Sequence, residues 1–328
     1  MTERQSIDAY HPYRSRLLTP ERIRELSRLR PWIAVRDTAL CWALMLAAWS
    51  IAAAFPVWYV LLPAAAMVGS RYYALFIIGH DGLHRRIFPT LRANDLFNDI
   101  VVLGAIGAIT RINNRNHLLH HRHLGNPEDP DRHRHACVNK YDRLHLLAFL
   151  TGISSVFRAT YQVFVAPKKA ADTNEGQGSA YSARDLLILA VWQVVLIGGL
   201  TLTFGWWGYP LMWLAPVYVF TYLADNFRSF VEHAHTEGDD DADHHRLITF
   251  ESNAVERWFL APMHMNLHVA HHLWVGIPYY NLTAADAEMS RHPLSAELER
   301  RGSYIAFLVR YWLALPLEPC RPVSPSPR

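Results

Sequence analysis

Four long stretches without charge, or nearly so, interrupt an otherwise charged chain of 328 residues. Residues 38–55 and 57–78 form one pair, in which Arg71 is the single charged side chain. Residues 186–204 and 207–224 form the other pair and contain no charged side chain. Each stretch approaches the roughly 20 residues with which an α-helix crosses a ~30 Å hydrocarbon core. The pattern predicts an all-α integral membrane protein with four transmembrane helices in two hairpins.

The distribution of arginine and lysine predicts how these helices are oriented. The turns near Pro56 and Trp206 contain neither residue, whereas the arm of residues 1–36 carries eight arginines. Because basic loops stay on the cytoplasmic side, we expect segments 79–185 and 225–328, the active site and both termini to be cytoplasmic. The chain is interpreted as a single domain, 1–328, with a basic N-terminal arm and a cytoplasmic helical cap. The arm is expected to be helical over about 20–30, at the membrane surface.

The remaining segments give weaker signals. Two apolar stretches, 144–166 and 303–317, are predicted to be helices that lie on the membrane or pack in the cap. The polar segment 172–182 and the acidic segment 237–243 are predicted to be loops. The Pro/Ser-rich tail, 319–328, is predicted to be disordered.

Histidine is unusually common, with 19 residues, and it recurs at helical spacing in three clusters. These are His80-Asp-Gly-Leu-His84, His117-Leu-Leu-His120-His121 and His268-Val-Ala-His271-His272. Residues at i, i+3 and i+4 share one face of a helix, so each cluster is predicted to point its imidazoles in one direction. A fourth element, Glu232-His233-Ala234-His235, follows the last predicted span. All four elements are expected to meet just below the cytoplasmic interface.

The number of histidines indicates two metal ions. Eight clustered histidines and one from the fourth element make nine candidate ligands. A zinc site takes three or four ligands, and a mononuclear oxygenase iron takes two histidines and a carboxylate. Nine ligands therefore favour a dimetal site in the cap. Imidazole binds iron, copper, nickel and zinc, so the ligand type alone leaves the metal open.

The three clusters, in this order around two apolar hairpins, resemble the histidine boxes of the membrane fatty-acid desaturase superfamily. Residues 126–131 and 272–280 are also similar to the stretches that follow the second and third boxes. The likeness extends over about 71–282 and is shared by desaturases, hydroxylases, ketolases and alkane hydroxylases. It implies two iron ions and a further ligand between the second and third boxes. The implied ligands are His80, His84, His117, His120, His121, His233, His268, His271 and His272, with His235 as the alternative to His233.

Three neighbouring residues are candidates for supporting the ligands. Asp81 is expected either to accept a hydrogen bond from a liganding imidazole or to be a surface residue at the helix end. Arg228 and Glu232, four residues apart, either orient His233 or form an ordinary ion pair. Asp129 and Asp131 are explained by turn chemistry alone. Seven further histidines are not expected to be ligands: His123, His133, His135, His145, His244, His245 and His264.

The resemblance implies O2-dependent oxidation of an unactivated C–H bond in a long apolar chain. Desaturation of a fatty acyl chain is the preferred reaction, and hydroxylation or ketolation of an acyl, alkane or carotenoid substrate is the alternative. The chain lacks a GxGxxG fingerprint, a CxxCH motif and a cysteine set for an iron–sulfur cluster. Electrons are therefore expected from an external carrier, a ferredoxin, rubredoxin or cytochrome, docking on the basic cytoplasmic face. No nucleic-acid partner is expected.

Two functions of other classes compete with this interpretation. A membrane metal transporter would place ionisable residues within its spans, which here are nearly free of them. A membrane zinc hydrolase of the common helical type would carry HExxH, which is absent. Metal stoichiometry distinguishes the three classes, because only the oxygenase requires two irons per chain.

Overall fold

The computed structural model describes residues 10–124, 128–134, 142–153, 181–234 and 247–315. The α-helices in these ranges are α1 His11–Arg16, α2 Pro20–Leu26, α3 Pro31–Ala54, α4 Trp58–Leu83, α5 Leu91–Phe97, α6 Thr110–His123, α7 Arg143–Leu150, α8 Ala183–Phe204, α9 Ala215–Val217, α10 Ala224–Glu232, α11 Ala254–Phe259, α12 His268–Leu273, α13 Leu282–Met289 and α14 Tyr304–Ala314. Turns of π-helix occur at Asn98–Leu103, Pro210–Leu214 and Tyr218–Leu223. Turns of 3₁₀-helix occur at Gly104–Ile106, Arg132–Arg134, Tyr279–Asn281 and Pro293–Glu297.

Three helices of the described ranges, α3, α4 and α8, are long and apolar enough to cross a membrane. Each begins before or ends beyond its predicted span. Helix α3 starts at Pro31, a residue suited to a first helical turn because its missing amide would have no partner there. Helix α8 starts after Ser182, whose side chain forms a reciprocal capping box with Asp185. Helix α4 continues to Leu83, so His80 lies in its last turn.

The fourth predicted span coincides with a segmented helical run over 210–232. Two π-helical turns alternate in it with α9 and α10. Pro216 supplies no amide hydrogen, which is one cause of irregular helical hydrogen bonding. The run lies very close to α4, since a Cβ on Gly69 would be 2.4 Å from the Pro216 carbonyl oxygen. That this run crosses the membrane, and that the spans pair as two hairpins, stays a prediction.

The described residues are mostly helical, as predicted, with one short parallel sheet that the all-α prediction did not contain. Strand β1, Ile248–Phe250, pairs with β2, Glu299–Arg301, with Ile248 opposite Glu299. Three residues are too few for the alternating pattern that identifies a strand. Strand β1 is fully buried and contacts α12, where the Val269 amide lies 3.4 Å from the Thr249 Oγ1. The sheet thus helps to position the third histidine cluster.

The N-terminal arm packs on the cap. Leu17, Leu18 and Leu26 are buried against the rest of the protein. Helix α2 falls within the helix predicted over 20–30, whose place at the membrane surface stays a prediction. Tyr13 donates a hydrogen bond to Glu297 at 2.9 Å, and the Arg22 Nε donates to Glu288 at 2.7 Å. The arm and the segment after α12 are therefore held together by both apolar and charged contacts.

The weaker predicted elements are described only in part. Helix α14 matches the predicted helix at 303–317, and α7 matches the beginning of that at 144–166. Residues 154–180, which contain the rest of that helix and most of the predicted loop at 172–182, lie outside the described residues. So do the acidic segment 237–243 and the tail 319–328.

Candidate metal centre

Four elements bring the predicted ligands together. His80 is in the last turn of α4 and His84 caps that helix. Helix α6 carries the second cluster and α12 the third, while His233 caps the end of α10. The nine histidines form two adjoining groups of imidazoles, one with five members and one with four.

The five-histidine group consists of His80, His84, His117, His121 and His271, whose candidate ligand atoms all lie within 4.8 Å of one another. The Nε2 atoms of His84 and His117 are 2.8 Å apart, and those of His117 and His121 are 3.1 Å apart. The Nε2 atom of His271 is 3.3 Å from that of His121. The ring centroid of His80 is 4.2 Å from that of His117. Nitrogens from three elements therefore converge on one point.

The four-histidine group contains His120, His233 and His272, whose candidate ligand atoms also lie within 4.8 Å of one another. We include His268 as its fourth member because its ring contacts those of His233 and His272. The Nε2 atom of His268 lies 3.0 Å from that of His233, and its ring centroid is 4.4 Å from that of His272. The two groups adjoin, since the ring centroids of His121 and His272 are 4.1 Å apart. His235, the alternative to His233, lies outside the described residues.

The structure corrects the expectation that each cluster points in one direction. Helix α6 gives His117 and His121, four residues apart, to the five-histidine group, and His120 to the four-histidine group. In α12, His268 and His272 belong to the four-histidine group and His271 to the five-histidine group. Adjacent helical residues differ by about 100° around the axis, so the HH pair of each cluster diverges between the two groups. The repeated HxxHH pattern therefore joins two sites.

The donor set fits two metal ions. Two imidazole nitrogens bound to one ion at about 2.1 Å are roughly 3.0–3.4 Å apart for bond angles of 90–109°, close to the spacing found here. Burial lowers the pKa of His271 to about 3. Burial likewise holds the pKa of His117, His121, His268 and His272 well below the ordinary value. These rings are neutral, which is the form that binds metal.

Two carboxylates lie next to rings of the four-histidine group. The Asp129 Oδ1 lies 3.0 Å from the His120 Nδ1, so His120 can keep its Nε2 for an ion. The Glu232 Oε2 lies 3.0 Å from the Arg228 Nε and 3.4 Å from the His268 Nδ1, and the Tyr304 hydroxyl donates to Oε1. The predicted Arg228–Glu232 ion pair is present, and the imidazole of His268 lies next to it. That the pair orients His233 stays a prediction.

Asp81 has a different partner from the expected one. Its Oδ2 accepts a hydrogen bond of 2.7 Å from the backbone amide of Tyr279, and its side chain is buried. Neither the imidazole hydrogen bond nor the surface role expected for Asp81 is found. The contact instead ties the first cluster to the chain that follows the third.

Sequence reasoning missed Asp129 and Tyr304. Asp129 was assigned to a turn, and its Oδ1 does accept the Asp131 amide at 2.8 Å, but the same atom also reaches His120. Nine residues separate Asp129 from His120, and no helical or strand period predicts such a contact. Tyr304 is 72 residues from Glu232 and gives no local signal.

Most of the remaining histidines are placed away from both groups or lie outside the described residues. His123, His145 and His264 belong to neither group. His264 has a left-handed backbone, with φ of 61°. His135, His244 and His245 lie outside the described residues, as does the side chain of His133.

Comparison with known proteins places this centre in a family. The fatty acid desaturase family model matches residues 56–307. An sn-1 acyl-lipid omega-3 desaturase (ferredoxin) of Nostoc sp. (strain 36) is 26% identical over 245 residues. That match covers 67% of this chain and 64% of the relative, so it spans less than two-thirds of the relative's length. An sn-1 oleoyl-lipid 12-desaturase of Picosynechococcus sp. (strain ATCC 27264 / PCC 7002 / PR-6) is 25% identical over 292 residues, covering 83% and 80%. The chain therefore belongs to the fatty acid desaturase family, as its three histidine clusters predicted.

Proposed function

We propose that the protein introduces a double bond into a fatty acyl chain of a membrane lipid, with O2 as oxidant and two irons as cofactor. The overall reaction converts –CH2–CH2– with O2, two electrons and two protons into –CH=CH– and two waters. The observation that carries the proposal is the convergence of nine imidazoles from four elements into two adjoining groups. Both relatives named above are acyl-lipid desaturases, which favours an acyl substrate in a lipid.

The two groups of histidines would each hold one iron. The five-histidine group would hold the first, and His120, His233, His268 and His272 the second. When bound, the irons supply the reduction of O2 and the removal of hydrogen from an unactivated carbon. The protein's own part is to keep the imidazoles neutral through burial and to fix His120 and His268 through Asp129 and Glu232. The buried site also excludes water from the reacting carbon.

Desaturation is favoured over hydroxylation by the names of the relatives. Both reactions begin with removal of one hydrogen from the substrate. They diverge according to the position of the resulting carbon radical, which either loses a second hydrogen or receives an oxygen. Displacements near 1 Å already change rates about a hundredfold, so the outcome depends on how the chain is held.

The proposal includes a topology. The three membrane-length helices and the run over 210–232 would supply four spans in two hairpins, with both termini and the metal centre cytoplasmic. The absence of arginine and lysine from the turns near Pro56 and Trp206 supports this orientation. The electrons would come from a ferredoxin, the donor that the name of the Nostoc relative gives.

Expression in a bacterial host that contains a ferredoxin and its reductase tests the proposal. Total lipid is hydrolysed, and the acyl chains are analysed by mass spectrometry. The expected product has two hydrogens fewer than its precursor, and it should be absent from a His121→Ala control. A gain of one oxygen would show a hydroxylase. A change confined to lipids without acyl chains would overturn the substrate class.

A further inference from the structure

Helix α6 has two functional faces. At 3.6 residues per turn, Arg111, Arg115, Leu118 and Arg122 lie within about 60° of one another around the axis. His117, His120 and His121 lie on the other side, where they enter the two imidazole groups. One helix thus presents a row of arginines outward and three candidate ligands inward.

The outer row carries net positive charge. Arg115 and Arg122 are exposed, and neither forms an ion pair within the described ranges. Arg111 pairs with Asp185 at 2.7 Å, at the start of α8. The α6 sequence, TRINNRNHLLHHRH, contains no acidic residue. Leu118 exposes 42% of its surface between the two uncompensated arginines. We call the surface formed by Arg115, Leu118 and Arg122 the basic face.

We propose that the basic face is the docking site for a small acidic iron–sulfur electron carrier. This inference rests on the proposed function, which needs two electrons per turnover and an external carrier. A protein seated on this face would be about one helix diameter, roughly 10–12 Å, from the imidazoles of the same helix. Arginine around an exposed leucine is a common composition for a charge-guided, transient interface. The donor named for the Nostoc relative, a ferredoxin, is an iron–sulfur protein.

The electron balance requires two docking events per double bond. Each reduced carrier gives up one electron and leaves oxidised. Two such electrons, with two protons and the two hydrogens removed from the acyl chain, reduce one O2 to two waters. A face that binds by charge suits this sequence, because the oxidised carrier must leave before the next one arrives.

An anionic membrane surface is the competing partner for exposed arginines near the start of a predicted span. The donor is favoured because the basic face and the ligands share one helix. A membrane lying on this face would close the shortest approach to the metal centre. The experiment must therefore measure carrier binding and vesicle binding separately.

The test compares two double variants that change net charge equally. Arg115→Glu/Arg122→Glu reverses the basic face, and Arg28→Glu/Arg291→Glu reverses two exposed arginines elsewhere. Each full-length protein, loaded with iron in lipid nanodiscs, is titrated with a [2Fe–2S] ferredoxin at several salt concentrations. The first variant should raise the Kd and the KM for ferredoxin by about tenfold and flatten their salt dependence. Its kcat at saturating ferredoxin should fall far less than its KM rises. The second variant should behave as the unmodified protein.

Three outcomes would overturn the docking proposal. The first is an unchanged ferredoxin Kd in Arg115→Glu/Arg122→Glu, and the second is an equal loss in the control variant. The third is a loss of binding to vesicles of phosphatidylglycerol with no change in ferredoxin binding, which would assign the face to the membrane. Because the Kd is measured without turnover, it tests the docking proposal independently of the proposal that the protein is a desaturase. Ferredoxin binding that depends on the basic face, in a protein that forms no double bond, would support docking and refute desaturation.

Discussion

Helices α4 and α8 are both apolar enough to span a membrane, yet they are used in opposite ways. Helix α8 is the more apolar of the two, yet only 11% of its most apolar stretch is buried within the protein. In the less apolar α4, 61% of the corresponding stretch is buried. In a bilayer the lipid-facing helix needs no polar group, whereas a helix inside the bundle can satisfy several. The less hydrophobic span is therefore the one that reaches the metal centre.

The polar groups of α4 show what its burial achieves. The Tyr72 hydroxyl donates to the Val102 carbonyl at 2.6 Å. The Arg71 guanidinium stacks 3.4 Å from the Trp258 ring centroid and donates to the Trp258 carbonyl at 3.2 Å. His80 then joins the five-histidine group two residues, about half a turn, beyond the predicted end of the span at residue 78. Helix α4 thus connects an apolar helix of membrane-spanning length to the candidate metal centre.

The largest expected effect is the loss of a ligand from α4. His80→Ala should abolish desaturation and remove about one iron per chain, since it deletes one donor of a five-histidine group. Val194→Ala on the exposed side of α8 is the matched control and should keep both iron and activity. Full activity and two irons in His80→Ala would show that α4 is not part of the centre.

A charge placed at the middle of α8 tests whether the exposed side of this helix faces lipid. Val194 is 70% exposed and lies near the centre of the helix. An arginine at the centre of a membrane span costs about 2.5–3.5 kcal/mol of insertion free energy. Val194→Arg should therefore reduce the inserted fraction in a membrane-insertion assay. Unimpaired insertion would mean that this side of α8 does not face lipid.

Glycine-to-alanine substitutions are expected to have opposite signs on the two helices. A Cβ on Gly69 of α4 would meet the Pro216 carbonyl oxygen at 2.4 Å, and this clash should cost about 1–3 kcal/mol. A Cβ on Gly199 of α8 would meet nothing within 4 Å. Gly199→Ala should stabilise by about 0.5–1 kcal/mol through its helix propensity. Thermal unfolding in detergent distinguishes them, and a stabilised Gly69→Ala would contradict the close packing of α4 on the run over 210–232.

The smallest effect is the loss of one buried hydrogen bond. Tyr72→Phe removes the donor to Val102 and should destabilise by about 1 kcal/mol, with the iron content unchanged. A lowered iron content would show that α4 transmits this contact to the histidines. Tyr218→Phe, at a more exposed hydroxyl that donates to the Thr151 carbonyl, is the comparison variant and should have a smaller effect.

Much of this architecture was predictable because it depends on local periodicity. Uncharged length predicted α3, α4 and α8, and spacing of three and four residues predicted eight of the histidines that the structure places in two groups. The ninth, His233, came from the family resemblance. Helical spacing separates His120 and His121 by about 100° around α6, but that each meets a different group depends on what packs on each side of the helix. Contacts distant in sequence, such as Asp129 with His120 and Tyr304 with Glu232, left no periodic signal. Strand β1 was missed because it has only three residues.

The metal content of the purified protein tests the central claim most directly. Iron and zinc per chain are measured by inductively coupled plasma mass spectrometry after purification in detergent with supplied ferrous iron. The account predicts two irons per chain in the unmodified protein. It predicts about one iron per chain in His117→Ala and about one in His272→Ala, because each variant loses a donor from a different imidazole group. One zinc per chain, or two irons retained in both variants, would contradict it.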